Sequence, residues 1–494
     1  MFYKIIILLV LSIVVKNEVF AQQSYFRKRS FFGQQYNQEL ILDSTHYIFP
    51  LRPLFRESDL DLLVEKQILP MTLDKDEYAF IHYWNSAPAT PSDYNLINHK
   101  KYTDKKGRSK NIAYSVPSFY GTDPLVSSPF KKVWTPLRVM ERHTILKYGF
   151  STNILAASYV GYTPYALEGK PNWTGFVGAE AYSNWLLTSN KVGVTNLSFE
   201  IGYKYNLFYD APEMKDIVGS EVISNVTNGP SDPIIGDMYI TQGLFNNRIL
   251  VAVGRITPWY YYAFNTFADD ELTRMTNNMV NGGSVLPDGG GNSTKPGFAV
   301  QAYLNNNLYL NVVSTNPSGE DAGFDFSIWN RNHYFVATEL GYVYTLSNHL
   351  EGRVSLGMHH LYKYEQEGIT SGYGFTFLLQ QELTPKGFTP YTGAYFQIHQ
   401  SNPTISTVQQ QIAIGLNIDH AFDNRNDGLG LALGYSDTSD DTMRDEFFVD
   451  TFYRFQFTES SHITADFQFY INAANKLQNK FIVPVMNARY IFNI

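Results

Sequence analysis

The chain closes on three segments in which apolar and polar side chains alternate, and it ends on one of them. They read FFVDTFYRFQF from Phe447 to Phe457, HITADFQFY from His462 to Tyr470 and KFIVPVMNARYIFNI from Lys480 to Ile494. In a strand, alternate residues face opposite sides. Val449, Thr451, Tyr453, Phe455 and Phe457 therefore share one side of the first segment, and Asp450, Arg454 and Gln456 take the other. Ile463, Ala465, Phe467 and Phe469 oppose Thr464, Asp466 and Gln468 in the second. Such ribbons need oil on one face and tolerate water on the other, which a closed barrel in an outer membrane supplies. An extracellular β-sandwich, β-helix or soluble barrel is the competing all-β reading. It expects shorter strands and a water-soluble mature chain.

Residues 1–21 carry Lys4, an apolar stretch from Ile5 to Val15, and Val19-Phe20-Ala21 before a cut at Gln22, the layout of a secretory signal peptide. The apolar stretch is short beside the roughly 20 residues of a spanning helix. The expectation is an exported chain that does not cross a membrane as a helix bundle. It contains no Cys, which excludes a lipidated cysteine, a thiolate metal site and a catalytic Cys. No cofactor or metal is expected.

Charge divides the mature chain. Residues 22–145 hold 17 Lys and Arg against 13 Asp and Glu, whereas 146–494 hold 19 against 32. The basic excess is too diffuse for nucleic acid. The first region lacks sustained alternation. Its helix candidates are Glu57–Leu69, with Ser58 or Asp59 as cap, and Leu137–Leu146 after Pro136. It reads as a periplasmic or pore-mouth extension of unassigned purpose, followed by a barrel over 146–494.

The barrel region offers seventeen candidate strands, at 149–163, 173–187, 195–208, 235–244, 248–257, 297–304, 307–315, 321–328, 333–345, 349–361, 370–381, 389–400, 406–418, 428–437, 447–457, 462–470 and 480–494. Bacterial single-chain barrels have even numbers of strands, so one is in excess or one is missing. The short trio within 297–328 is the place to look. Sixteen strands are expected, with eighteen as the alternative. Long connections at Tyr209–Pro233 and Trp259–Pro296, the second rich in Gly, Asn, Ser and Pro, either reach outward or fold into the lumen. One folded inward would set the bore.

With 36 Tyr and 35 Phe, the chain has material for two interfacial girdles. If the apolar faces meet lipid, Arg255, Arg353, Asp450, Arg454, Asp466, Gln468 and Arg489 are candidate pore-lining residues, because a wet lumen permits charges that hydrocarbon penalises. The structural alternative for each is a wall salt bridge or plain solvation.

Two stretches carry a more specific pattern. One runs from Glu446-Phe447-Phe448 through Phe452-Tyr453-Arg454, Gln456-Phe457-Thr458 and Ile463-Thr464 to Asp466-Phe467-Gln468-Phe469-Tyr470-Ile471-Asn472. The other is Val253-Gly254-Arg255-Ile256-Thr257-Pro258, followed by Tyr261 or Tyr262, Asn265, Phe267-Ala268 and Asp270-Glu271. Both stretches resemble the carbohydrate-selective porins of the OprB-like family, and the sequence departs from that family's pattern at Ala465 and at Ala473-Ala474, where prolines are usual, and in ending on Ile494. The resemblance implies an outer-membrane porin for small hydrophilic solutes, saccharides among them, working as a monomer or homotrimer among outer-membrane lipid and lipopolysaccharide. For a sugar ring, Trp185, Trp259 and Trp329 are candidate aromatic contacts, and each is equally placed as a girdle residue.

Two other readings stand beside this one. In an envelope-assembly or secretion barrel, residues 22–145 would recruit a periplasmic partner. A membrane enzyme would need a nucleophile beside a histidine. His359-His360 and His399 have no nucleophile motif near them in the sequence, so no enzyme is expected.

Overall fold

The computed structural model describes the chain from Phe150 to Asn493, apart from parts of the connections, the longest being 223–232, 281–293 and 320–331. It also describes Ile41–Asp43 and His46–Tyr47, which pair as a short antiparallel ladder. The helix candidates at 57–69 and 137–146 lie outside the described residues.

Sixteen antiparallel strands close on themselves. They are β1 Phe150–Tyr162, β2 Trp173–Ser189, β3 Val194–Asn206, β4 Pro233–Leu244, β5 Ile249–Ile256, β6 Lys295–Tyr303, β7 Leu308–Thr315 and β8 His333–Thr345. The second half comprises β9 Glu351–Glu365, β10 Gly368–Glu382, β11 Tyr391–Ser401, β12 Val408–Asp419, β13 Gly428–Thr438, β14 Glu446–Thr458, β15 Ser461–Ile471 and β16 Ile482–Asn493. Each pairs with its sequence neighbours, and β16 pairs with β1 from Met486 opposite Tyr162 to Asn493 opposite Leu155. Closure satisfies the backbone of every strand and leaves no edge to face hydrocarbon. The seventeenth candidate, 321–328, lies outside the described residues, and the ring closes without it because β7 pairs directly with β8.

The alternation sorts the two faces as hydrocarbon outside and a polar interior require. Leu340, Leu356, Phe375, Ile414, Leu433, Phe467 and Met486 stand exposed on the outer surface. Their neighbours Glu339, Ser355, Thr376, Ala413, Ala432, Asp466 and Asn487 are buried inside. At one rim Tyr334 stacks on Tyr362 at 5.4 Å and Tyr435 meets Phe447 at 5.0 Å, forming part of an aromatic girdle.

Connections alternate between two rims. The odd-to-even connections, including 207–232 and 257–294, gather at one end. The opposite end carries shorter turns such as 190–193 and 304–307. Short turns are the periplasmic mark of these barrels, which makes the longer-loop end extracellular.

Candidate functional site in the barrel lumen

The connection after β5 folds into the barrel. Alternation in β5 fails at Gly254, whose φ is 144° and whose added Cβ would collide with the Met238 carbonyl, so the position needs glycine. Arg255 shares the outward parity of Val253, yet it is fully buried. Its Nε and Nη2 donate to the carbonyls of Gly236 (3.4 Å) and Thr294 (3.5 Å), pinning the root of the connection to β4. Pro258 then starts a single 3-10 turn, Pro258–Tyr260.

From Tyr262 to Val280 the described part of this segment crosses the lumen, anchored at each step to the wall. Ala263 takes a left-handed φ of 62°, held there by its N–H donating to Glu339 Oε2 at 2.8 Å. Arg353 on β9 donates to the Phe264 carbonyl. Asn265 is the best-connected residue. Its Nδ2 donates to Gln397 Oε1 (3.0 Å) and the Val280 carbonyl (3.2 Å), and its Oδ1 accepts from Gln380 Nε2 (2.9 Å) and the Phe267 N–H (3.1 Å). The Phe267 ring occupies the space a Cβ on Gly393 would take, and Met275 lies 2.8 Å from the corresponding position at Gly430. Glycines on β11 and β13 thus make room for the segment.

Further along, Arg274 donates to Asp419 Oδ2 at 3.3 Å, and Asp419 also pairs with Arg454 at 3.5 Å. Arg489 donates to the Arg274 carbonyl at 2.5 Å and pairs with Asp466 at 3.6 Å. Thr276 donates to Asp466 Oδ1 at 3.2 Å and accepts from Gln468. The Asn277 N–H donates to Asp450 Oδ2 at 3.3 Å, and its side chain to Tyr470 Oη at 2.8 Å. Gln397 and Gln411 both donate to the Met279 carbonyl. The anchors run from β8 to β16, so the segment spans much of the circumference.

A second inward piece caps it. Helix α1, Met214–Val218, belongs to the 207–232 connection and buries Met214, Ile217 and Val218 in one apolar cluster with Phe267, Met275 and Met279 of the segment and Phe448, Phe452 and Val483 of the wall. Glu446 on β14 ties the mouth together, accepting from the Ala474 N–H (2.7 Å) and the Glu221 N–H (3.2 Å). Both long connections, in their described parts, take the inward alternative.

Among the residues singled out from the sequence, Arg353, Asp450, Asp466, Gln468 and Arg489 bond the inserted segment directly, while Arg454 reaches it through Asp419. Trp185 is 43% exposed on the outer face near the turn end of β2, a girdle position rather than a lumen contact. Trp259 is half-buried at the root of the segment, stacked 6.4 Å from Phe264. Trp329 lies outside the described residues. Sequence reasoning missed Arg274, Asp419, Asn277, Gln397 and Glu339. Asn265 stood in the motif without a role. The glycine-rich connection was the one signal available.

Comparison with known proteins fits this geometry. Residues 234–488, just over half of the chain, match the family described as carbohydrate-selective porin, OprB family. No curated protein sequence matches the chain at a significant level. Among solved structures, the high-pH structure of Pseudomonas putida OprB is 16% identical with a TM-score of 0.59, over 72% of this chain and 96% of that one. The low-pH structure of the same protein is 13% identical with a TM-score of 0.46, over 76% and 100%. Salmonella typhi OmpF in complex with daunomycin is 8% identical with a TM-score of 0.46, over 70% and 97%. The first of these likenesses concerns the barrel fold. By the family match, the chain belongs to the carbohydrate-selective porins of the OprB family and is a channel of the bacterial outer membrane.

Proposed function

We propose that small neutral saccharides diffuse through the lumen past the inserted segment, and that the charged wall residues act chiefly by holding that segment in place. One observation carries this reading. Around the segment, the four guanidinium groups of Arg274, Arg353, Arg454 and Arg489 share the lumen with the four carboxyl groups of Glu339, Asp419, Asp450 and Asp466. A balanced set leaves little net field to draw in either sign of ion while keeping many donors and acceptors for hydroxyl groups. Trp259 and Phe264 offer an aromatic surface at the segment's root.

β1 starts at the turn end, which supports reading residues 22–145 as a periplasmic or pore-mouth extension. The barrel would work as a monomer or homotrimer among outer-membrane lipid and lipopolysaccharide. Swelling of liposomes carrying the purified protein tests the reading, with glucose and gluconate as a neutral and an anionic solute of one size. Faster entry of glucose is expected. Equal or faster entry of gluconate would overturn the preference for neutral cargo, and no swelling with any sugar would overturn the channel's proposed cargo altogether.

A further inference from the structure

Leu477, at 79% exposed, and Phe481, at 69%, are the most exposed large apolar side chains among the described residues. Both lie on the 472–481 loop at the extracellular end, beyond the last residue of β15. Lipid chains account for exposed leucines along the outer face of the strands, but not for side chains on a loop above them. Apolar groups gathered on a surface mark a place where something binds. Ile482, the first residue of β16, continues the patch, and Tyr165 adds a ring from the adjoining 163–172 loop. Where β1 and β2 meet that loop, Trp173 packs on Tyr162 with ring centres 4.3 Å apart, which sets the level of the membrane interface on this side. The patch therefore lies at the headgroup layer of the outer leaflet.

Positive charge accompanies it. The 163–172 and 472–481 loops carry three exposed lysines, Lys170, Lys476 and Lys480, against one acid, Glu168. Asp440 on the 439–445 loop stands near Lys476 and offsets part of its charge. From Asn472 to Ile494 there is no acidic side chain at all, in a barrel region that holds 32. The lysines stand on a fixed frame. Gln478 Nε2 donates to the Tyr165 carbonyl at 2.9 Å, and Lys480 Nζ lies 5.0 Å from the centre of the Tyr165 ring. Arg444 donates through Nη1 to the Gln478 carbonyl (2.9 Å) and through Nη2 to the Lys476 carbonyl (3.3 Å). The Asn475 N–H donates to the Gly219 carbonyl at 2.8 Å, tying the loop to the end of α1. A loop already ordered loses little entropy when a ligand settles on it.

We propose that this rim binds a phosphorylated, multiply acylated glycolipid of the outer leaflet, of the lipid A kind. Lys170, Lys476 and Lys480 meet its phosphates, and Leu477, Phe481 and Ile482 lie against its chains. Cations at headgroup depth beside apolar side chains are how interfacial segments hold charged lipid, and three ammonium groups on two loops suit more than one phosphate. The proposal deepens the lipopolysaccharide partnership proposed above and rests on the outer-membrane placement. Its test is native mass spectrometry of the full-length protein, stripped of lipid in neutral detergent, with added lipid A, lipid A lacking its phosphates, or phosphatidylglycerol. Wild type should hold lipid A roughly tenfold more tightly than either control lipid. Lys476→Ser with Lys480→Ser should weaken lipid A about thirtyfold and leave the phosphate-free form unchanged. Leu477→Ser with Phe481→Ser should weaken both forms, and Lys363→Ser, in the mouth cavity, should match wild type. Folded variants are selected by heat-modifiable migration on gels, and the comparison of lipids on wild type needs no variant. Wild-type binding of either control lipid as tight as that of lipid A would overturn the proposal, as would a folded double-lysine variant that binds lipid A undiminished. Loss of that selectivity with sugar entry intact sinks this proposal alone, whereas lipid A binding without sugar entry sinks only the porin reading.

Discussion

Replacing Asn265 by Ala tests the inserted segment at its best-held point. The side chain makes four hydrogen bonds, two as donor and two as acceptor, joining the segment to itself and to Gln380 and Gln397 on the wall. The two bonds to the wall, at about 1 kcal/mol each, contribute roughly 2 kcal/mol to docking. The two bonds within the segment do not distinguish docked from undocked, and the strand ladders do not involve this residue. A shift of about 2 kcal/mol raises the undocked population about thirtyfold. Arg274 lies within the segment and is 1% exposed, so trypsin reaches it only after undocking. Where docking is fast compared with cleavage, the cutting rate follows the open population. Limited trypsin digestion of the folded, detergent-purified protein should show cleavage after Arg274 faster by about one to two orders of magnitude, on the order of that shift. The barrel should keep its resistance to unfolding in cold detergent. Unchanged cleavage at Arg274, or loss of the barrel together with the segment, would refute the reasoning.

Other expectations follow from neighbouring contacts. Gly393→Val drives a side chain into the Phe267 ring; at about 1–3 kcal/mol of overpacking it should loosen the segment and raise single-channel conductance. Arg274→Met leaves Asp419 with Arg454 as its cation, and reversal potentials across a salt gradient should move toward cation preference. Leu356 is 61% exposed on the outer face of β9; Leu356→Arg should cost about 2–4 kcal/mol in urea unfolding from lipid vesicles if the site lies near mid-membrane. In the loop before β14, hydrogen bonds to Asp440 from the Thr442 hydroxyl first and then from the Thr442 N–H, at 2.7 Å, hold its carboxyl below the usual range. The turn's extra stability is complete above the unfolded pKa and fades as pH falls through the lower folded one. Exchange protection of the Thr442 amide should hold at neutral pH and drop below about pH 4.

Much of the barrel was readable from alternation alone, because each strand records lipid on one face and a filled lumen on the other. The segments at 149–163 and 480–494 fall within two residues of β1 and β16. Arg255 shows where periodicity misleads, since the positive φ of Gly254 breaks the alternation just before it. The docking of the segment was not legible. Asn265 and Gln397 are 132 residues apart, and Arg274 and Arg489 are 215 apart. Nothing local in a sequence pairs residues across such spans. A residue such as Asp450 shows its inward parity in the strand pattern, but not that its partner is the Asn277 N–H rather than a solute. Trp185 illustrates the converse, for an aromatic at a strand end has the same pattern whether it meets sugar or membrane.

The central claim is that residues 262–280 set the bore through which sugars pass. Its most direct test compares wild type with a variant in which this stretch is replaced by a short glycine-serine link, measuring liposome swelling across a series from monosaccharide to tetrasaccharide. The account predicts a steep decline with size in wild type and a shallow one in the variant. A variant with the wild-type size dependence would contradict it.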